Sequence, residues 1–79
     1  MNDHYQPIDC GLHSEYELLV MQHSDIRLVF TDSNGTRQVV CGVPTNVTTR
    51  DGAEFLLIEH TDSQISVRLD RIVSCTKID

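Results

Sequence analysis

The fold of this chain is decided between residues 26 and 35, which read IRLVFTDSNG. Ile26, Leu28 and Phe30 alternate with residues of the opposite face, and this period of two predicts a strand with one buried side. The stretch ends in Asn-Gly, which is among the strongest short signals for a β-hairpin. We therefore expect a strand, a tight turn and a return strand over residues 36–43.

The return strand is expected to end or bulge at Gly42 and Pro44, because glycine and proline weaken a strand interior. The β-branched but polar residues 45–49 are compatible with either a weak strand or a loop. After a turn at residues 50–52, the segment 53–60 is apolar on both faces. It is predicted to be the central strand, with one side against a helix.

The last third of the chain continues at hairpin spacing. Ile65, Val67 and Leu69 alternate, the pattern breaks for about one turn near Asp70, and a final short strand follows at residues 72–77. One helix and five short strands predict a small, strongly bent antiparallel barrel. Such a sheet closes mainly to remove its edges, and the break near Asp70 is typical of Sm-like (SH3-like) barrels.

Upstream of the strands, a helix is predicted between Cys10 and His23. Its apolar stripe consists of Leu12, Tyr16, Leu19, Val20 and His23, spaced as on one helix face. Ser14 and Glu17 fit a capping box, which would start the helix proper at residue 15, unless Asp9 caps an earlier turn. Leu18 and Met21 point away from the stripe and are either covered by the preceding arm or exposed for a partner. At about 100° per residue, Glu15 and Glu17 fall on opposite sides of the stripe.

The chain as a whole is expected to form a single domain over residues 1–79, as its 79 residues suggest. Within it we expect an extended arm at 1–9, the helix at 10–23 and the β-barrel at 25–79. Pro7 favours an extended arm, because it restricts its own backbone and that of the preceding residue.

Charge is distributed unevenly along the sequence. The formal net charge is −6, and the first 26 residues contain five acidic residues and no lysine or arginine. An acidic surface repels nucleic acid and attracts proteins that bind nucleic acid. This end of the chain is therefore the best candidate for the working face of a binding protein.

Other kinds of chemistry find little support in the sequence. Cys10 and His13 have a C-x-x-H spacing, but zinc sites usually need two such pairs, and Cys41 and Cys75 lie in strand patterns where cysteine acts as a small hydrophobe. Motifs for nucleophilic catalysis or phosphate binding are missing from the sequence. We expect neither an enzyme nor a bound cofactor or metal.

Direct RNA binding usually requires a basic patch with stacking aromatic rings. Only six basic residues are present, of which Arg68 and Arg71 form a small basic spot, and Phe30 and Phe55 are predicted to belong to the core. With neither an export signal nor an apolar run long enough for a membrane, the sequence predicts a cytoplasmic protein with reduced thiols. A monomer is favoured over the rings that edge-strand pairing can build.

Four segments of the sequence together are distinctive. They are the N-D-x-Y-Q-P-I-D-C string at 2–10, Tyr-Glu-Leu at 16–18, Gln-His at 22–23 and Arg-Leu-Asp-Arg-Ile at 68–72. These segments resemble the Rof (YaeO) family of Rho-specific inhibitors of transcription termination. The resemblance implies an Sm-like barrel that binds the N-terminal RNA-binding domain of the hexameric helicase Rho and blocks RNA loading.

The resemblance also implies a set of contact residues. Asp9, Glu15 and Glu17 would be the acidic contacts, and Tyr5 and Gln6 would pack or form hydrogen bonds from the arm. A second contact region would be the segment from Asn46 to Arg50. The alternatives left open are an Sm-like RNA-binding module and a small metal or redox protein using Cys10 and His13.

Overall fold

The computed structural model describes residues 5–78. Its elements, in chain order, are the helix α1 (Cys10–Gln22) and the strands β1 (Ile26–Thr31), β2 (Arg37–Arg50), β3 (Ala53–His60), β4 (Ser63–Arg68) and β5 (Ile72–Lys77), with a 3-10 turn at Leu69–Arg71 between the last two. The predicted class, one N-terminal helix followed by five antiparallel strands, is confirmed. Residues 1–4 of the predicted arm and residue 79 of the predicted barrel lie outside the described residues.

Strand order in the sheet is β4-β3-β2-β1-β5, and every pairing is antiparallel. β2 is therefore the central strand, and the expectation that residues 53–60 would be central is wrong. Among residues 5–78, β4 and β5 are the two edges and do not pair with each other, so the sheet stays open where closure was expected.

β2 is longer than its sequence suggested and belongs to both halves of the sheet. Its first part pairs with β1 up to Gly42, and its second part pairs with β3 from Val43 onward. The polar residues 45–49 continue the strand because β3 supplies their ladder partners. Pro44 does not end the strand, and the register shifts between Pro44 and Asn46, which is the predicted bulge.

Gly42 stands where β2 passes from one pairing to the other. A Cβ atom at this position would overlap the backbone carbonyl oxygen of Glu59 and crowd Cγ2 of Ile58 at 2.8 Å. Two strands can approach this closely only where one of them carries no side chain.

Two predicted tight turns are present, one in the first hairpin between β1 and β2 and one between β2 and β3. Asp32 Oδ1 accepts hydrogen bonds from the backbone N–H of Asn34 (2.9 Å) and Thr36 (3.0 Å), and Gly35 adopts a positive φ of 80°. The β2–β3 turn places Asp51 and Gly52 at φ values of 54° and 79°. Two positive φ values suit the right-handed twist of the flanking strands.

The core lies between α1 and the inner face of the sheet. Its buried side chains are Tyr16, Ile26, Leu28, Leu56, Ile58, Val67 and Leu69. Burial raises the pKa of Tyr16 to about 12. Leu12 and His23, the first and last members of the predicted stripe, are exposed, so the buried face of α1 is shorter than predicted.

Asp9, and not Ser14, is the N-cap of α1, and its side chain accepts a hydrogen bond from the Gly11 N–H at 3.4 Å. Of the two starts that the sequence left open, the earlier one is therefore correct. His23 ends the helix in a left-handed conformation with φ 52°, its N–H donating to the carbonyl of Val20. The helix packs mainly against β2.

Candidate partner-binding surface

The two acidic residues of α1 lie in separate grooves on opposite sides of the helix. Glu17 lines an open groove of about 320 Å³ between α1 and β2. Glu15 lines an open groove of about 240 Å³ between α1 and β5. A rotation of about 100° per residue predicted this opposite placement, and the structure confirms it.

The Glu17 groove is lined by both apolar and polar side chains. Its other lining residues are Val20, Met21, Asn46 and Val47. Met21 is 75% exposed and the Glu17 side chain 56% exposed, so both are accessible from solvent. Asn46 Oδ1 accepts a hydrogen bond from the Val47 N–H at 2.9 Å, which orients the side-chain amide. Two predicted contact residues, Glu17 and Asn46, thus meet in one groove.

The Glu15 groove is lined by a basic side chain as well as a carboxylate. Besides Glu15 it is lined by Leu18, Leu19, Cys75 and Lys77. Lys77 Nζ also donates to Gln22 Oε1 at 3.4 Å. Burial raises the pKa of the Cys75 thiol, and the negative charge of Glu15 adds a smaller effect in the same direction.

The arm before the helix is held against the sheet by its tyrosine. Tyr5 Oη donates to Glu54 Oε1 at 3.2 Å, and the Arg68 guanidinium lies 5.7 Å from the centre of the Tyr5 ring. Burial raises the pKa of Tyr5, and the negative charge of Glu54 adds a smaller effect in the same direction. Tyr5 is therefore an internal contact of the fold as well as a predicted contact for a partner.

Gln6 is fixed through its backbone. Its N–H donates to Asp70 Oδ2 at 2.8 Å, while its side chain is exposed. Asp70 also accepts two bonds from Arg68, from Nε at 2.9 Å and from Nη2 at 2.6 Å. Burial alone would raise the pKa of Asp70, but the hydrogen bonds from Arg68 and Gln6 outweigh it and the pKa is lowered.

His13 lies between two carboxylates, one on α1 and one on β3. Its Nε2 is 2.9 Å from Glu54 Oε2, and its Nδ1 is 3.5 Å from Glu17 Oε1. Because Tyr5 binds the other oxygen of Glu54, this carboxylate connects the arm, α1 and β3.

Arg50, at the end of β2, stacks on an aromatic ring. Its guanidinium carbon lies 4.5 Å from the centre of the Phe55 ring. Phe55 and Phe30 are only half-buried and line an open cleft of about 280 Å³ together with Arg68 and Arg71, so the prediction that both rings are core residues is only partly correct. Arg71 Nη1 donates to the carbonyl oxygen of Asp32 at 2.9 Å, and Arg68 is paired with Asp70.

Cys10, Cys41 and Cys75 are all free thiols. Cys41, which the strand pattern predicted to act as a small hydrophobe, is exposed. Within residues 5–78, histidine, cysteine and carboxylate side chains do not gather into a group of three or more that could hold a metal ion. Over the same residues, α1 lacks the length and apolarity needed to cross a lipid bilayer.

Comparison with known proteins identifies the family. A family model described as a modulator of Rho-dependent transcription termination (ROF) matches residues 7–79. The chain belongs to the ROF family. Protein rof of Escherichia coli (strain K12) and protein rof of Shigella flexneri are each 30% identical to it over 74 residues, which cover 94% of this chain and 83% of theirs. Among solved structures, none matches the chain significantly.

Within this ROF-family chain, the predicted contact residues do not form a single cluster. Glu17 and Asn46 share a groove, Glu15 lies across the helix from them, and Asp9 is occupied as the helix cap. Tyr5 and Gln6 lie in the arm, and Arg50 stacks at the end of β2. Whether each of these side chains contacts a partner stays a prediction.

Sequence reasoning missed the two carboxylates that fix the arm, Glu54 and Asp70. Asp70 belongs to the Arg-Leu-Asp-Arg string that carried part of the family resemblance, so a signal for it existed. Glu54 had none, because its partner Tyr5 lies 49 positions away in the sequence.

Proposed function

We propose that this protein modulates Rho-dependent termination as an inhibitor that binds the N-terminal RNA-binding domain of Rho and blocks RNA loading. It acts in the cytoplasm as a monomer, without enzymatic activity and without a cofactor. The family assignment supports Rho-dependent termination as the process. The observation that carries the mechanism is the acidic helix, whose Glu15 and Glu17 both line open grooves.

The charge pattern supports a basic partner. The first 26 residues contain acidic side chains and no lysine or arginine, and all six basic residues of the chain lie beyond them. A site that grips RNA presents lysine and arginine to phosphates. An acidic surface is steered towards such a site and competes with phosphates for its cations.

The proposed contact set comprises the acidic residues Asp9, Glu15 and Glu17, the arm residues Tyr5 and Gln6, and the β2 residues Asn46 and Arg50. In this set Asp9 and Tyr5 also stabilise the fold through the helix cap and the bond to Glu54. Changes at these two positions would therefore mix folding with binding, so the test uses Glu15 and Glu17.

The test is the affinity of a Glu15→Lys/Glu17→Lys variant for purified Rho, measured by calorimetry. We expect at least about a tenfold loss, because two attractive contacts become repulsive. A Glu59→Lys/Asp62→Lys variant is the matched control, since it changes the net charge equally at exposed positions in and beside the β3–β4 turn. Equal affinities of the two variants would show that the acidic helix does not make the contact.

The second candidate, an Sm-like RNA-binding module, has one observation in its favour. Phe30 and Phe55 line an open cleft with Arg68 and Arg71, and aromatic rings beside guanidinium groups can stack bases. A gel shift with single-stranded RNA at physiological salt separates the two functions. Binding of RNA by this protein alone at micromolar concentration would favour the module. The inhibitor predicts no shift by this protein alone and a weaker shift by Rho when this protein is added.

A further inference from the structure

The Glu17 groove has the chemistry of a receptor for one long basic side chain. Val20 and Met21 from α1 and Val47 from β2 supply its apolar lining, and Glu17 and Asn46 supply its polar lining. Lysine and arginine have a matching construction, because each carries an apolar stem and a charged head. Glu17 supplies the carboxylate that such a head would pair with.

Resting on the proposed function, we propose that this groove receives a single lysine or arginine side chain from the RNA-binding surface of Rho. The stem lies on Val20, Met21 and Val47, and the cationic head pairs with the Glu17 carboxylate. The groove favours a cationic group because its lining residues include a carboxylate and no basic side chain.

The groove on the other side of α1 gives the internal comparison. It also combines a carboxylate, Glu15, with exposed apolar surface, since Leu18 is 51% exposed. It differs in containing Lys77, whose positive charge offsets that of Glu15 towards an incoming cation. A basic side chain of the partner therefore gains more at Glu17 than at Glu15.

The neighbours of Glu17 leave it available for such a contact. His13 is the side chain paired with it, at 3.5 Å, and the other nitrogen of the same ring is held more closely by Glu54 at 2.9 Å. An ammonium or guanidinium group entering the groove can pair with Glu17 without displacing His13 from Glu54. Asn46 is already oriented by its bond to the Val47 N–H.

Four single substitutions test the inference as two matched pairs. Glu17→Gln and Met21→Gln change the proposed groove, and Glu15→Gln and Leu18→Gln change the groove across the helix. The affinity of each variant for purified Rho is measured over a series of salt concentrations, and a thermal melt of each variant confirms that it is folded.

We expect Glu17→Gln to lower the affinity about tenfold and to make it less dependent on salt, since one ion pair is lost. Met21→Gln should lower the affinity about threefold with the salt dependence unchanged, because it removes apolar contact only. Glu15→Gln should lose clearly less than Glu17→Gln, and Leu18→Gln should bind as the native chain does. A loss at Glu15 equal to or larger than that at Glu17 would overturn the inference.

A double variant tests whether Glu17 and Met21 hold the same side chain. If they do, the loss in Glu17→Gln/Met21→Gln is smaller than the sum of the single losses, because the second change removes contacts already weakened by the first. Strict additivity would overturn the single-side-chain form of the inference. The native chain is the reference: if it does not bind Rho at all, the proposed function fails, whereas native binding with equal losses in both grooves defeats the groove assignment alone.

Discussion

Asp70, which lies 64 positions beyond Gln6 in the chain, connects the arm before the helix to the end of β4. Its carboxylate accepts the backbone N–H of Gln6 in the arm and two guanidinium donors of Arg68 at the end of β4, and it stands in the turn that leads into β5. Only 8% of the Asp70 side chain and 15% of the Arg68 side chain are exposed. A charge-assisted pair with two hydrogen bonds and this little water is among the stronger polar interactions available to a protein.

Replacing Asp70 by Asn is expected to lower the free energy of unfolding by about 1.5–3 kcal/mol at about pH 7, because Arg68 loses a charged acceptor. The pKa of Asp70 is lowered in the folded state. Its stabilising contribution is therefore complete above the unfolded pKa and is lost as the pH falls through the lower, folded value. Urea unfolding curves of the native and variant chains should thus converge below about pH 4.

The control for this measurement is Asp62→Asn, since Asp62 lies exposed in the β3–β4 turn. It should change the unfolding free energy by no more than about 0.5 kcal/mol. If Asp70→Asn cost the same at low pH as at neutral pH, packing and not charge would be the source of its effect.

At the scale of the helix, the cap residue decides where α1 begins. Asp9→Ala should destabilise the protein by about 1 kcal/mol, since it removes the side-chain acceptor of the Gly11 N–H in the first turn of the helix. Ser14→Ala should be neutral or slightly stabilising, because Ser14 is exposed inside the helix and alanine is the better helix former. Thermal or urea unfolding of the two variants checks the assignment. A larger loss of stability in Ser14→Ala than in Asp9→Ala would show that Ser14 is the N-cap.

At the scale of the sheet, Gly42 permits β2 to pass from one partner strand to the other. Gly42→Ala should lower the unfolding free energy by about 1–3 kcal/mol, because the new methyl group meets the backbone of Glu59 and cannot be relieved by a side-chain rotation. Gly11→Ala is the matched control. At Gly11 the nearest heavy atom to a new Cβ would be Asp9 Oδ2 at 3.4 Å, so this change in a helix should be neutral or stabilising.

The elements also differ in how well the sequence predicted them. The first hairpin was predictable because its turn signal is local: Asn34 and Gly35 stand between alternating strands, and Asp32 closes the turn through its own side chain. The continuity of β2 was not predictable, since its polar residues 45–49 become strand only through pairing with β3. The same long-range pairing makes β2, and not the more apolar β3, the central strand.

The candidate site also combines features that local sequence predicts with features that depend on long-range packing. The opposite placement of Glu15 and Glu17 follows from helix geometry and was predicted. The meeting of Glu17 with Asn46 depends on how α1 docks on β2, and the bond of Tyr5 to Glu54 depends on where the arm crosses the sheet. Neither arrangement leaves a local pattern in the sequence.

For the whole molecule, the net charge of −6 predicts how association with Rho depends on salt. Raising the ionic strength from about 0.05 M to about 0.3 M should slow association severalfold and change dissociation much less, because screening weakens the long-range attraction between unlike charges. Stopped-flow or surface binding kinetics separate the two rates. An association rate independent of salt would contradict electrostatic steering.

The Glu59→Lys/Asp62→Lys control adds a second readout to these kinetics. It changes the formal net charge from −6 to −2 while leaving both helix grooves intact. Association should become slower and less dependent on salt, and dissociation should stay as in the native chain, because the contacts themselves are unchanged.

The anchoring of the arm has a consequence for the order of events during biosynthesis. The ribosome makes Tyr5 and Gln6 early, but Glu54 follows 49 positions later and Asp70 follows Gln6 by 64 positions. At about 5–20 residues per second, several seconds pass between the synthesis of the arm and that of Glu54 and Asp70, which bind it. The acidic segment therefore leaves the ribosome well before the sheet that positions it, and the two grooves beside α1 form only after β2 and β5 have been translated.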